Sequence, residues 1–185
     1  MALVEIRGLV KSFHNRKSGD VQILRSIDLA LDASQTICVV GESGCGKTTL
    51  GKILADLQTY NGGSFLYKGQ EVSKLDKQQW KAFRTDVQMI HQNPYESLNP
   101  TQMVFDMIAA PLKRHKKATN FTSLYEQVIK LLEMVGLTPV EDFIDKYPAN
   151  LSGGQRQRVS IARVLSMDPK FIVVDEATSM IDTSM

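Results

Sequence analysis

The chain has 185 residues, enough for one domain with a full hydrophobic core, or for one domain with a small insert. Its 22 basic residues nearly balance its 20 acidic residues, so the charge gives no support for nucleic-acid binding. Two cysteines argue against a disulfide framework and favour a reducing compartment. No apolar run approaches the ~18 residues of a membrane-spanning helix, and the amino terminus lacks the apolar segment of a secretory signal.

The amino-terminal part of the chain predicts an antiparallel sheet followed by an α/β core. Two apolar segments with alternation, residues 4–10 and 21–31, predict strands joined by a polar hairpin loop. Residues 36–40 form a short apolar run that ends at a glycine, which is the pattern of a buried parallel strand. A helix is expected over residues 47–58, and residues 64–67 predict a returning strand.

The middle of the chain predicts a helical subdomain inserted into that core. Apolar residues from Leu124 onward recur on one face of a helix. Ser123 and Glu126 have capping-box spacing at its start, and Gly136 is expected to end it. The predicted division is therefore a core with the β subdomain and the phosphate loop (1–93), a helical subdomain (94–150) and a last core segment (151–185).

Residues 41–48 match the pattern G-x-x-x-x-G-K-[ST], in which a loop cradles the phosphates of a nucleotide. Backbone N–H groups must point inward there, and glycines keep side chains out of their way. Lys47 places a cation against the β- and γ-phosphates, and Thr48 offers a hydroxyl to Mg²⁺. The residues expected to contact ATP are Gly41, Glu42, Ser43, Gly44, Cys45, Gly46, Lys47, Thr48 and Thr49.

A second glycine turn, Leu151-Ser152-Gly153-Gly154-Gln155, precedes a predicted helix that extends to Met167. Ser152 and Gln155 have capping-box spacing, so an ordinary helix start is one interpretation. Two consecutive glycines oppose it, since each costs roughly 1 kcal/mol in a helix interior, whereas bare N–H groups at a helix start bind anions. Because one ATP already has its phosphate loop, this turn most simply serves the nucleotide of a partner subunit.

A pair of carboxylates follows the unbroken apolar run at residues 171–174. The run predicts a central parallel strand, which places Asp175 at the carboxyl end, where α/β sheets bind ligands. Asp175 suits Mg²⁺, directly or through water, and Glu176 is then free to polarise an attacking water.

Together these segments resemble the nucleotide-binding subunits of ATP-binding cassette (ABC) transporters, with the motifs in the family's order. Residues 41–48 resemble the Walker A loop and residues 151–155 form an intact ABC signature. Residues 171–176 resemble Walker B, and residues 179–182, which end in Asp182, resemble the D-loop.

The resemblance assigns roles to two further residues. Gln92 resembles the Q-loop glutamine, which implies a part in catalysis and in Mg²⁺ binding, and Phe13 stands where the family places an aromatic that stacks on adenine. Residues 94–100 and 146–148 look like the importer class for oligopeptides, dipeptides and nickel.

The resemblance implies a P-loop NTPase core of the α/β class, with an N-terminal antiparallel β subdomain and an inserted helical subdomain. It implies an ATPase that uses ATP and Mg²⁺ to power import, with Lys47, Gln92 and Glu176 in catalysis. Two such subunits, identical or different, close head to tail around two ATP molecules. Ser152, Gly153, Gly154 and Gln155 of one subunit then serve the nucleotide of the other. Two permease subunits and, indirectly, a solute-binding protein are the implied partners, with the ATPase peripheral on the cytoplasmic face of the membrane.

The chain departs from the family pattern near its end. It stops soon after Glu176, before the family's switch histidine and further core strands, so we expect ATP binding with poor hydrolysis and an open sheet edge that lowers solubility. A truncated, hydrolysis-deficient ABC fragment is therefore one alternative. Another is an ABC-type DNA-repair or chromosome ATPase, although the chain lacks sustained heptads between the motifs. A kinase or GTPase would leave residues 151–155 unexplained.

Overall fold

The computed structural model describes residues 2–15, 19–93 and 97–175, and the chain divides into two compact units, residues 1–87 and 88–185. The first unit contains β1 (Val4–Asn15), β2 (Gly19–Leu31), α1 (Lys47–Leu54), β3 (Gly62–Tyr67), β4 (Gln70–Glu71), a 3-10 helix at Val72–Lys74 and α2 (Lys77–Asp86). Strand β5 (Val87–Ile90) begins at the boundary. The second unit contains α3 (Val104–Arg114), α4 (Phe121–Met134), 3-10 helices at Val140–Asp142 and Pro148–Asn150, α5 (Gly153–Leu165) and β6 (Phe171–Val174).

The first unit is built on a four-stranded sheet in the order β2-β1-β3-β4, and its pairs β1–β2, β1–β3 and β3–β4 are antiparallel. This confirms the predicted hairpin and returning strand. The inward-facing residues Ile6 and Phe65 pair across β1 and β3 and are each 1% exposed. Helix α2 packs on this sheet through Phe83, whose ring meets that of Phe65 edge-on at 6.0 Å between centroids.

The predicted strand at residues 36–40 does not form. Those residues have no strand geometry, and Ile37, Val39 and Val40 are 43%, 50% and 84% exposed. A strand exists only through a ladder with a neighbour. Within the described residues no strand pairs with this run. Its apolar pattern alone was therefore not sufficient to predict a strand.

The second unit is a helical body around one hydrophobic core. Helices α3, α4 and α5 each contribute residues with no exposed surface: Val104, Ile108, Val128, Leu132, Val159 and Ala162. Helix α4 ends as expected, with Gly136 in the left-handed conformation at φ 69°. No helix in the described segments is long and apolar enough to cross a bilayer.

The predicted capping box at Ser123 is wrong. Helix α4 starts one turn earlier, and the Asn120 side chain accepts a hydrogen bond from the Ser123 N–H at 2.8 Å. The earlier start brings Phe121 into the helix, where its ring stacks on Tyr125 at 6.2 Å between centroids. Asn is as good an N-cap as Ser, so N-cap preference alone does not distinguish the two possible starts.

Strand β6 confirms the strand predicted at 171–174, but it is not the central strand that we expected. It pairs with β5 in a two-stranded sheet, and Val174 is 57% exposed. Among the described residues β6 therefore has a neighbour on one side.

Candidate nucleotide-binding site

The phosphate loop, residues 41–48, leads directly into α1. Lys47 Nζ donates hydrogen bonds to the carbonyl oxygens of Gly41 and Glu42, both at 2.8 Å, so the loop curls around the ammonium. The N-cap residue of α1 is Gly46, which supplies no side-chain hydrogen bond to the first turn. A cation beside a helix start that no N-cap side chain covers is a favourable site for an anion.

Two glycines of the loop have a conformational requirement. Gly44 and Gly46 adopt φ angles of 81° and 104°, in the region that side-chain-bearing residues avoid. At Gly46 there is also no room, because an added Cβ would lie 2.9 Å from side-chain carbons of both Ile23 and Leu24 on β2. The loop therefore packs tightly against β2 at this point.

Strand β2 bulges where the loop touches it. The β1–β2 register runs from Lys11 opposite Leu24 to Ser12 opposite Gln22, so Ile23 is the extra residue. Phe13 follows, opposite Val21, and is 40% exposed. Gly46 packs two to three residues along β2 from that pair, which is roughly 7–10 Å at about 3.3 Å per residue. The structure thus brings Phe13 and the phosphate loop to the same stretch of the sheet.

The second glycine turn forms the N-terminus of α5, and its predicted capping box is confirmed. The Gln155 N–H donates to Ser152 Oγ at 3.2 Å, and the Ser152 N–H donates to Gln155 Oε1 at 2.9 Å. Ser152 is exposed. Among the described residues, a Cβ added at Gly153 would meet nothing within 4 Å, so their packing does not require glycine there.

Helix α5 also holds both sides of the segment that contains Gln92. Gln157 Nε2 donates to the His91 carbonyl at 3.3 Å, and Ser160 Oγ lies 3.0 Å from Ser97 Oγ. Gln157 is fully buried, and within the described segments no donor lies in hydrogen-bonding range of its Oε1. The sequence motifs do not include Gln157, although a glutamine three positions before Ser160 on the buried face of a helix is a recognisable signal.

Asp175 lies where β6 ends beside β5, since its N–H donates to the Ile90 carbonyl at 3.0 Å. Gln92 follows two residues after Ile90. A carboxylate and an amide oxygen are both ligands that Mg²⁺ accepts. Glu176 and Asp182 lie outside the described residues.

The chain resembles known proteins both in sequence and in structure. A family model described as ABC transporter matches residues 24–179. The chain belongs to the ABC transporter family. The di/tripeptide transport ATP-binding protein DppF of Pseudomonas aeruginosa is 41% identical over 179 residues, which cover 97% of this chain and 53% of that protein. The oligopeptide transport ATP-binding protein OppF of Lactococcus lactis is 39% identical over 173 residues, which cover 94% and 53%.

A solved structure of an ABC cassette shows that the fold is shared. The ATP-binding cassette MJ0796, in a dimeric post-hydrolysis structure bound to ADP and Pi, matches with a TM-score of 0.85 at 24% identity. The match covers 97% of this chain and 76% of that one. The predicted fold class is therefore confirmed. The chain spans about half the length of the curated relatives it matches.

Proposed function

We propose that this chain is the nucleotide-binding part of an ATPase subunit that powers the import of peptides. The proposal depends first on the phosphate loop, where the Lys47 ammonium sits inside the curl at the start of α1. A bound triphosphate would exchange the two loop carbonyls around Lys47 for phosphate oxygens, which are stronger partners for a cation.

One nucleotide then extends along the first unit. Its phosphates lie on residues 41–49, and its adenine stacks on the exposed ring of Phe13 near the same stretch of β2. Thr48, Gln92 and Asp175 are the residues that we assign to Mg²⁺, whose charge would offset that of the γ-phosphate.

The signature turn serves the nucleotide of a second subunit. Accepting the Gln155 N–H uses a lone pair of Ser152 Oγ and leaves its O–H available to donate to a γ-phosphate oxygen. Gly153 opens to space that residues 2–15, 19–93 and 97–175 do not fill, and Gly154 follows it in the first turn of α5. Because ATP contacts both subunits only in the closed dimer, binding favours closure.

Hydrolysis reverses that preference. A water held by Glu176 attacks the γ-phosphorus, its proton passes to the Glu176 carboxylate, and the bond to the ADP oxygen breaks. The phosphate no longer joins the subunits and the dimer opens, with Asp182 of the D-loop at the same interface. The proposed location is peripheral, on the cytoplasmic face of the membrane.

Peptides are the proposed cargo class because both relatives described above are named for peptide transport. The segment around Gln92 and the helical second unit are the surfaces that we assign to two permease subunits, which receive substrate from a solute-binding protein. The hydrogen bonds that join Gln157 and Ser160 to this segment support a mechanical link between the signature helix and that surface.

A complementation experiment tests the shared site. In a Glu176→Gln background, in which ATP is bound but not consumed, we expect ATP to convert the chain into a dimer measurable by light scattering. Lys47→Ala should abolish ATP binding, and Ser152→Asp should keep the helix cap but repel the γ-phosphate, so each variant alone should stay monomeric. Mixing the two restores one intact site per dimer, and dimerisation with ATP should return.

Lys52→Ala is the matched control, because Lys52 is an exposed lysine on the same helix as Lys47. It should bind ATP and dimerise like the parent chain. Failure of the mixture to dimerise, while the parent does, would rule out a site composed of Lys47 from one subunit and Ser152 from the other.

A further inference from the structure

Lys11 is a buried lysine without a carboxylate partner among the described residues. The residue is 5% exposed, and its Nζ has two contacts there: Thr59 Oγ1 at 3.4 Å and the ring of Phe13, whose centroid is 4.8 Å away. Burying an ammonium is costly unless other groups replace its water. A single long hydrogen bond replaces little of it, so the Phe13 ring is the main remaining partner for the cation.

The loop after α1 fixes the strand on which this pair lies. Asn61 N–H donates to the Val10 carbonyl at 2.8 Å, and Asn61 Oδ1 accepts from the Ser12 N–H at 2.7 Å. Thr59, two residues earlier, supplies the hydroxyl to Lys11. The same connection that follows the phosphate-binding helix therefore holds the backbone on both sides of Lys11.

The Lys11 ammonium lies on one face of the Phe13 ring and leaves the other face open. Lys11 and Phe13 are two residues apart on β1, so their side chains emerge on the same side of the strand. The ammonium occupies one face of the ring, yet Phe13 remains 40% exposed. The exposed surface therefore belongs to the opposite face and edge, where a planar base can lie.

We propose that Lys11 is a positioning residue for the purine base, holding the Phe13 ring from behind while adenine stacks on its open face. This inference rests on the proposed function, because it assigns the adenine contact to Phe13. A ring fixed before the ligand arrives loses less entropy on binding than one that must be ordered at that moment. Lys11 thus contributes to the affinity for nucleotides with a base, and not to the affinity for the phosphates alone.

The test separates base from phosphate. Binding of ATP and of inorganic tripolyphosphate to the chain is measured by calorimetry for Lys11→Met, which keeps an unbranched apolar stem but removes the charge. We expect ATP binding to weaken roughly three- to tenfold and tripolyphosphate binding to stay unchanged. Lys11→Arg, which keeps a cation for the ring, should recover part of the loss, and Lys81→Met, at an exposed lysine on α2, should change neither ligand.

The Phe13→Ala background completes the cycle. There, Lys11→Met should have no further effect on ATP binding, because the ring that it positions is gone. Equal weakening of ATP and tripolyphosphate, or unchanged ATP affinity in Lys11→Met while Phe13→Ala weakens it, would overturn the role of Lys11. Unchanged ATP affinity in Phe13→Ala would instead remove the adenine contact from the proposed function, and this inference with it.

Urea unfolding without nucleotide gives an independent measurement. It compares the parent chain, Lys11→Met, Phe13→Ala and the variant that carries both substitutions. If the Lys11 ammonium holds the Phe13 ring, the two single substitutions lower the free energy of unfolding by amounts that do not add up to the decrease in the double variant. Additive losses would show that Lys11 and Phe13 are not coupled, and would overturn the inference even if ATP binding could not be compared.

Discussion

At the scale of single residues, the thiol of Cys45 can report whether phosphates occupy the loop. Its Sγ lies 3.9 Å from Lys47 Nζ, and a Cβ placed on Gly41 would approach it to 3.0 Å, so the thiol lies within the curl of the phosphate loop. Cys38, in the segment before the loop, is also exposed. Phosphates bound in the loop cover the first thiol and not the second. We expect saturating ATP to slow the alkylation of Cys45 several-fold and to leave the rate at Cys38 unchanged.

The measurement is a timed pulse of N-ethylmaleimide followed by tandem mass spectrometry. Both cysteines lie in the tryptic peptide 26–47, so each peptide reports both rates and Cys38 serves as the internal control. Equal slowing at the two thiols would indicate a general change in the chain. Unchanged labelling of Cys45 would contradict occupancy of the loop by the phosphates.

The two glycine motifs and their expected contacts with phosphates were recognised from sequence, but the packing around the glycines was not. At Gly46 the requirement comes from the left-handed backbone and from the side chains of β2, and the latter contact depends on tertiary packing. At Gly153 the described part of the chain imposes no steric limit, which agrees with the proposed contact from a second subunit. A pattern identifies such residues, whereas only the structure distinguishes an internal constraint from an external one.

At the scale of elements, helix starts were predictable where one candidate cap existed and not where two competed. Ser152 and Gln155 form the box that their spacing predicted, because the preceding 3-10 helix ends at Asn150. Asn120 and Ser123 are both acceptable N-caps three residues apart. The structure uses the earlier one, Asn120, and the spacing of Ser123 and Glu126 alone did not distinguish the two.

A polar contact joins two elements of the first unit and gives a test of pH dependence. Tyr67 Oη on β3 donates to Asp86 Oδ2 at the end of α2 at 2.9 Å. Burial, and then the hydrogen bond to the carboxylate, raise the pKa of the Tyr67 hydroxyl above its ordinary value of 10.0. The folded state therefore resists ionisation of this group. Its contribution to the free energy of unfolding is complete below pH 10 and is lost as the pH rises above that value.

We expect Tyr67→Phe to lower the free energy of unfolding by about 1 kcal/mol near neutral pH, because Asp86 loses one hydrogen bond while Lys68 still pairs with it. The difference between the two chains should shrink as the pH rises above 10, where tyrosine in the unfolded chain ionises. Urea unfolding of both chains at a series of pH values measures this. A difference that is constant through this range would show that the hydroxyl titrates in the same way in both states.

At the scale of the whole molecule, local patterns predicted the sheet of the first unit and the helices of the second, but not the parallel core. Alternation places residues such as Ile6 on one face, and the hairpin partner lies close in sequence. The run at residues 36–40 and strand β6 need neighbours that are distant in sequence, and composition does not encode which strands those are. The proposed site residues likewise fall in two units, so the sequence motifs identify them without fixing their mutual geometry.

The exposed run at residues 36–40 is the feature of the whole chain that most directly affects its behaviour in solution. It is rich in β-branched residues, has no charge, and reaches 84% exposure at Val40. A segment of this composition that pairs with none of the described strands is a template for intermolecular pairing. We expect Val40→Lys to reduce concentration-dependent light scattering, because a charge on the segment opposes stacking of identical copies.

Met134→Lys is the control. It replaces a 69% exposed apolar residue on α4, where the backbone is already hydrogen-bonded, and should give little improvement. Equal gains from the two substitutions would mean that general surface hydrophobicity, and not the unpaired segment, limits solubility.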